Sequence, residues 1–445
     1  VSEFVFLNWF LCIGTALLLG LVIWRYRFLL IKPSIIVIVF FHLQVQWAAA
    51  AQASYIEQYL PRPYDFLLLS QVFPLLGLLV SFFILHQKNH RLYTKLTRVS
   101  LDSLEIKTRP LVILFSGITL IVLIYLAFVP LAQTGVYRIL VDPLASADAR
   151  ESSLKLLDNE LLRYGFALLK TALAPLLSVL AIFYFLQNMK QLKLLRGTAA
   201  LVIFLLTLMA VMLPGARMPG GIVILTVIFA LFIFYHMPLR FSYVFLTLVL
   251  ILGLAALITL LREGQDLSLL LFLDKLKGGI FERVFVVPME TGLWHAHYAQ
   301  ELGFVGIAGI PKLAEVVGLD PINLSNVIYI KYTKYFIYSG LSNTCFVFSY
   351  YTCFGIGSLV FSLLGLWALD LAVLVFEKLR HHAILLAAVA AVATSSIGFA
   401  YTVYTTALLT NGFLFILIIA FLLDRLADFS LVAKHRFREM EKTVP

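Results

Sequence analysis

Glu290, His295 and His297 fall in one short run, Glu290-Thr291-Gly292-Leu293-Trp294-His295-Ala296-His297-Tyr298, which crowds a carboxylate, two imidazoles and two aromatic rings together. An imidazole titrates near neutral pH, so the run can supply a general base, from His295 or His297 first and from Glu290 next. If the segment is an extended strand, His-x-His places both rings on one face and suits a metal, with Glu290 or Glu301 as a third ligand. No diagnostic ligand spacing accompanies the pair, so no metal is assigned. For either histidine the plainer alternative is a hydrogen-bonded residue at an interface.

Arginine offers a second kind of chemistry. The turn Leu213-Pro214-Gly215-Ala216-Arg217-Met218-Pro219-Gly220-Gly221 sets a cation beside flexible backbone at a helix start, an arrangement suited to phosphate. A plain helix hairpin with an interfacial Arg is the alternative. Arg262, at the end of an apolar run, and Arg283, in Phe281-Glu282-Arg283-Val284-Phe285-Val286-Val287-Pro288, can join Arg217 on a diphosphate; a solvated helix end is the other reading of Arg262. Lys170 and Asp370 lie inside apolar runs, where charge is costly. Lys170 either lines a cavity beneath the outer loop or snorkels, and snorkelling is expected of Asp370.

Between Asn323 and Gly340, Tyr329, Tyr332, Tyr335 and Tyr338 recur every third residue among Lys331 and Lys334. On a helix they form an aromatic ridge on which sugar faces can stack. An aromatic belt at the headgroup level is the expected reading for most of them, with one or two left to line a site.

The elements that must position these groups are set by composition: 62% of the 445 residues are apolar and 13% charged, a balance of chains that use lipid as solvent. Apolar runs near 4–24, 29–51, 65–87, 110–132, 165–187, 198–214, 221–238, 241–261, 345–376, 382–403 and 405–424 are each about long enough to cross a bilayer. The expected fold is therefore an all-α polytopic membrane protein with about eleven spans, residues 1–445 forming a single domain. The first run lacks a basic leader and a small-residue cleavage site, so it is expected to remain as the first helix.

Alternation of direction sorts the connections into two sets, one with 20 Lys/Arg against 7 Asp/Glu, the other with 13 against 16. The positive-inside rule makes the first cytoplasmic, placing the N-terminus outside, the C-terminus inside, and a large water-facing outer loop at 262–344 between the eighth and ninth spans. The net charge of +10 thus reads as topology, not nucleic-acid binding. Cys12, Cys345 and Cys353 have neither disulfide nor metal spacing. No G-x-x-x-x-G-K-[ST], H-E-x-x-H or G-x-S-x-G occurs.

Gly215-Ala216-Arg217-Met218-Pro219-Gly220-Gly221 before a helix, Glu282-Arg283-Val284-Phe285-Val286-Val287-Pro288 in the outer loop, and Leu341-Ser342-Asn343-Thr344 leading into Cys345-Phe-Val-Phe-Ser-Tyr-Tyr-Thr-Cys-Phe-Gly-Ile-Gly-Ser form a familiar layout. It resembles the O-antigen polymerase (Wzy) family, chiefly over 205–376. The resemblance implies a GT-C-like glycosyltransferase of the bacterial inner membrane that builds O-antigen or a related surface polysaccharide at the periplasmic face. It implies inverting transfer of a glycan from undecaprenyl diphosphate to a lipid-linked acceptor repeat unit, with no cofactor, and a chain-length regulator as possible partner. In this setting Arg217 and Arg283, with Arg262 and Lys170, bind the diphosphate, His295 or His297 or Glu290 takes the acceptor proton, and Tyr332, Tyr335 and Asn343 hold glycan. The outer loop departs from the family in being poorer in Arg. The rivals are a glycan ligase of O-antigen type and a flippase or transporter of polyisoprenyl glycans. Transport is disfavoured by the absence of paired repeats and of broken helices from the sequence pattern.

Overall fold

The computed structural model describes every residue but 1, 27–30, 84, 85, 99, 102, 103, 105, 142–159, 216, 236–252, 254–259, 261–267, 275, 278–280, 334–343, 410, 411 and 428–445. For 86, 139, 140, 160–163, 217, 218, 269, 283 and 312 it describes the backbone alone. No strand occurs among the described residues. A helix satisfies its own backbone polar groups, which is what a run in hydrocarbon requires. Nine helical stretches among the described residues are long and apolar enough to cross a membrane. They are α1 (Glu3–Arg25), α2 (Pro33–Ala51), α3 (Pro63–Phe83), α5 (Thr108–Phe128), α6 (Tyr164–Lys190), α7 (Leu194–Met212), the stretch Phe346–Lys378, α13 (His382–Ala400) and α14 (Tyr404–Ala427). The polar helix α4 (His86–Thr97) follows α3, and α8 (Arg217–Phe234) is apolar over the shorter stretch Pro219–Phe234. The expected span at 241–261 lies outside the described residues except for Gly253 and Leu260.

Helix ends gather on two faces. On one, the Ser2 hydroxyl donates to Glu57, Gln300 is bonded to the Arg62 backbone, and the Val136 N–H donates to the Leu213 carbonyl. On the other, the Lys95 ammonium donates to the carbonyls of Glu377 and Leu379, and the Asp424 carboxylate accepts the N–H groups of Arg380 and His381 at the start of α13. The first face is termed outer and the second inner, after the loop charges.

Two expectations are corrected by the region from residue 287 onward. The stretch expected as one span at 345–376 is broken: α11 (Phe346–Phe354) ends at Gly355, whose φ of +62° suits a residue without Cβ, and α12 (Ser358–Leu374) follows a short turn. The Tyr404 ring lies 5.5 Å from that of Phe346 while its hydroxyl donates to the Gly365 carbonyl. A continuous helix would hold Phe346 and Gly365 about 28 Å apart, so the chain folds back at the glycine turn. Phe346 packs on Phe73 and Phe348 on Phe41, near the midpoints of α3 and α2, so α11 is a half-helix that starts deep in the bundle and rises to the outer face.

The described residues of the expected water-facing loop are likewise largely helical, and part of them is buried. Helix α9 (Val287–Leu302) runs beside α11 in the same direction, with Thr344 donating to the Pro288 carbonyl, Gly292 against Phe348, and His295 against Thr352. A Cβ on Gly292 would come within 2.9 Å of the Phe348 ring, so this glycine sets the closeness of the two helices. Helix α10 (Leu324–Thr333) then packs on α9.

Asp370 of α12 does not snorkel. It is buried at the inner side, its carboxylate accepting the Ser34 N–H at 3.0 Å and the Ser34 hydroxyl at 2.6 Å, with the Lys32 ammonium 4.0 Å away. Lys32 is fully buried as well and also donates to the Ser81 carbonyl, which ties α2, α3 and α12 together. The corresponding polar knot of the outer half lies where α2 and α3 each contain a π-helical turn, at His42–Gln46 and Leu68–Val72. There Gln46 and Gln71 exchange side-chain and backbone hydrogen bonds, and Trp47 donates to His42 Nε2. An indole only donates, so His42 carries its hydrogen on Nδ1, facing the Gln46 carbonyl oxygen at 2.6 Å.

Candidate functional site

A helix turns by about 100° per residue, so residues at i, i+4, i+7 and i+11 share one face. On α9 those positions are Glu290, Trp294, His297 and Glu301, and they stay partly or fully accessible while Thr291, Gly292, Leu293, His295, Ala296 and Ala299 are buried. A stripe bearing acid, indole, imidazole and acid thus runs from the deep end of α9 to its outer end.

This geometry separates the two candidate histidines. They are helical, so His-x-His points the rings to opposite sides instead of sharing a strand face, which corrects the geometry on which a metal pair was considered. Among the described residues no group of three or more His, Cys, Asp or Glu is placed to hold a metal. His295 is fully buried, its Nδ1 3.0 Å from the Thr352 hydroxyl of α11, and it locks α9 to α11. His297 is only partly covered. Its ring stacks on Tyr59 at 4.5 Å and meets Tyr332 edge-on at 5.6 Å, with Nδ1 2.8 Å from the Tyr332 hydroxyl and 3.5 Å from a Glu301 carboxylate oxygen. Tyr332 also stacks on Trp294 at 6.0 Å, and Tyr59 continues outward to Tyr55 at 5.3 Å.

The charges around the ring are arranged to keep it neutral but basic. Burial lowers the His297 pKa below the ordinary histidine value, Glu301 opposes that, and Lys331 adds to it. Glu301 is held below the usual carboxylate range, first by its 2.6 Å hydrogen bond from Lys331. Burial raises the Tyr332 hydroxyl, with the Glu301 charge adding to the effect, so it remains a phenol. Lys331 lies 5.4 Å over the rings of both Tyr298 and Tyr332.

Gln300 fixes the outer end of the stripe. Its side-chain amide accepts from the Arg62 N–H at 3.0 Å and donates to the Arg62 carbonyl at 3.1 Å and to the Tyr351 hydroxyl at 3.2 Å. Tyr351 donates in turn to Asp65 at 2.6 Å, so the end of the α2–α3 connection, which also carries Tyr59 on the short helix Ala53–Tyr59, is latched to both α9 and α11.

The remaining expected site residues are spread more widely. Arg217 begins α8, in a turn held by Gly135, where an added Cβ would lie 2.3 Å from the Pro214 carbonyl oxygen. Backbone cannot yield to that contact as a side chain could. Gly135→Ala is accordingly expected to cost about 1–3 kcal/mol and to lower the thermal midpoint in detergent, whereas Gly14→Ala, in open space on α1, leaves it unchanged. The side chains of Arg217 and Arg283 lie outside the described residues, as do Arg262, Tyr335 and Asn343 altogether. Lys170 occupies a π-helical turn of α6 packed on α5, with its ammonium 5.4 Å over the Phe166 ring.

Tyr59, Gln300 and Asp65 were not recognised as site residues in the sequence. Their partners are remote along the chain, and no local pattern marks them. The residue types of the stripe were legible, but its spacing acquires meaning only once Val287–Leu302 is a helix and not the loop or strand expected.

No family model, curated protein or solved structure matches this chain. Its class rests on the fold alone: an all-helical, multi-pass membrane protein.

Proposed function

We propose that the protein is a membrane glycosyltransferase that polymerises lipid-linked oligosaccharide repeat units, as the resemblance to the O-antigen polymerase (Wzy) family implies. The observation that carries this reading is the stripe Glu290, Trp294, His297 and Glu301 on a half-buried helix, walled by Tyr59 and Tyr332. Stacked aromatic rings suit sugar faces, and a neutral imidazole among them suits proton removal from a sugar hydroxyl. A GT-C-like fold, eleven spans and a periplasmic active face in a bacterial inner membrane belong to the same reading. The chain leaves α8 beside Phe183 near the inner end of α6 and is at the outer face by Leu302, and 241–261 is the run assigned to that crossing.

In this mechanism the acceptor hydroxyl oxygen attacks the anomeric carbon as its proton passes to His297. The bond from that carbon to the diphosphate oxygen breaks with inversion, and the electron pair leaves with undecaprenyl diphosphate. The base role requires the tautomer with hydrogen on Nδ1, where the Tyr332 hydroxyl oxygen at 2.8 Å accepts it and the Glu301 carboxylate lies 3.5 Å away, leaving the Nε2 lone pair for the acceptor proton. Arg217 and Arg283, with Arg262 and Lys170, are assigned to the leaving diphosphate, whose charge they offset. Tyr332 is assigned to glycan with Tyr335 and Asn343, Glu290 is the reserve base, and no cofactor enters. A chain-length regulator is the protein partner this reading anticipates.

Glu301→Gln removes the contribution that raises His297, so the acid limb of the rate profile should move to lower pH. Rates of glycan extension measured across pH for both proteins check this; a limb that stays in place or rises removes Glu301 from the role.

The direct test incubates purified protein in liposomes with an undecaprenyl-diphosphate-linked repeat unit, without nucleotide or added metal. A glycan ladder supports the polymerase, and a single transfer to a lipid A core acceptor supports the ligase. The transporter also gains an observation, because α11 is a broken half-helix of the kind transporters use at the midplane. Movement of the lipid-linked glycan across the bilayer without new glycosidic bonds favours that reading.

A further inference from the structure

The segment between α9 and α10 carries apolar side chains that the bundle leaves uncovered. Leu302 is 62% exposed and Val316, in the short helix Pro311–Val316, is 81% exposed, with Phe304, Leu313, Val317 and Leu319 exposed beside them in sequence. A water-facing surface rarely gathers so many. The Phe304 ring lies against Gly355, where an added Cβ would meet it at 2.8 Å, and Gly355 opens the turn into α12. Immediately beyond it, Ile356 in the turn and Val360 and Phe361 on α12 are exposed, as befits a spanning helix whose outer surface meets lipid. The exposed apolar surface of 302–319 is therefore continuous with a lipid-facing one.

Its height along the bundle is set by Tyr351, a turn before Gly355 on α11, whose hydroxyl donates to Asp65 near the outer end of α3. We infer that residues 302–319 lie in the outer leaflet, with Pro311–Val316 along the membrane interface and its apolar side chains in the acyl layer. Glu315 and Asp320, both exposed, supply the polar part that an interfacial segment requires. The occupant of this surface is bilayer lipid, and the inference is independent of the glycan reading.

The three native cysteines are buried, so Val316→Cys and Asn323→Cys can each be labelled selectively with an environment-sensitive fluorophore in the intact protein. In liposomes the label at 316 should emit at shorter wavelength than that at 323, be quenched by lipids spin-labelled high on the acyl chain, and resist aqueous iodide. Equal iodide quenching at the two sites overturns the inference. So does protection at 316 that vanishes in nanodiscs holding one copy, which would assign the surface to a second copy of the chain.

Discussion

His297→Ala is expected to reduce glycan extension by about 10²–10⁴-fold, the usual contribution of a positioned general base. The residue sits at the half-open end of α9, where its ring meets Tyr59 and Tyr332 of α10 at a partly exposed edge and not in the packed core, so the variant should fold and reach the membrane. His295→Ala should do the opposite. Its ring is buried against Thr352, and its loss leaves a cavity and an altered hydrogen bond between α9 and α11, at a cost of about 1–3 kcal/mol in stability. Extension rate and thermal midpoint, measured on both variants, separate the two roles. Full activity in His297→Ala would sink the base assignment, and an inactive His295→Ala with an unchanged midpoint would transfer it to His295. In the wild type, burial favours the neutral ring, so the rate should fall only below the ordinary histidine pKa.

The largest effect on folding is expected at the inner cluster. Asp370→Leu alone removes the carboxylate that faces the fully buried Lys32 ammonium and that accepts from the Ser34 N–H and hydroxyl, a loss of about 3–5 kcal/mol. The double variant Lys32→Met, Asp370→Leu removes the pair as a unit and should recover most of that, because the charges no longer need one another. Thermal midpoints from fluorescence-detected size exclusion decide the matter. A single variant as stable as the wild type would mean that Lys32 reaches water.

The spans were legible because hydrocarbon imposes a length and a composition that a sequence cannot disguise. Pro33–Ala51 and His382–Ala400 fall within a few residues of where the apolar runs place them. The break at Gly355 was not, since Phe-Gly-Ile-Gly-Ser is apolar enough to continue a span, and only the contacts of Tyr404 with both Phe346 and Gly365 expose the reversal. The loop at 262–344 misled in the other direction. Its charges suggest water, yet Pro288, Met289 and Leu293 insert into the bundle. Asp370 illustrates the same limit, because a lone acid in an apolar run reads as an interfacial residue until its partners, far away in the chain, are known. For the site, the residue types on α9 were available but not their helical face, and Tyr59 and the Gln300 latch depend on the connection between α2 and α3, encoded far upstream.

The half-helix α11 bears on how the molecule is made. Its nine residues are too few to be retained in a bilayer by themselves, and their partners Phe41, Phe66 and Phe73 are synthesised long before it. The early hairpin of α2 and α3 must therefore wait, with a cleft unfilled, until residues 346–354 have emerged. Contacts joining such distant segments are closed late and slowly. The protein's biogenesis is thus expected to hinge on a post-insertion docking step, during which the nascent α2–α3 cleft is exposed to lipid and to any chaperone able to shield it.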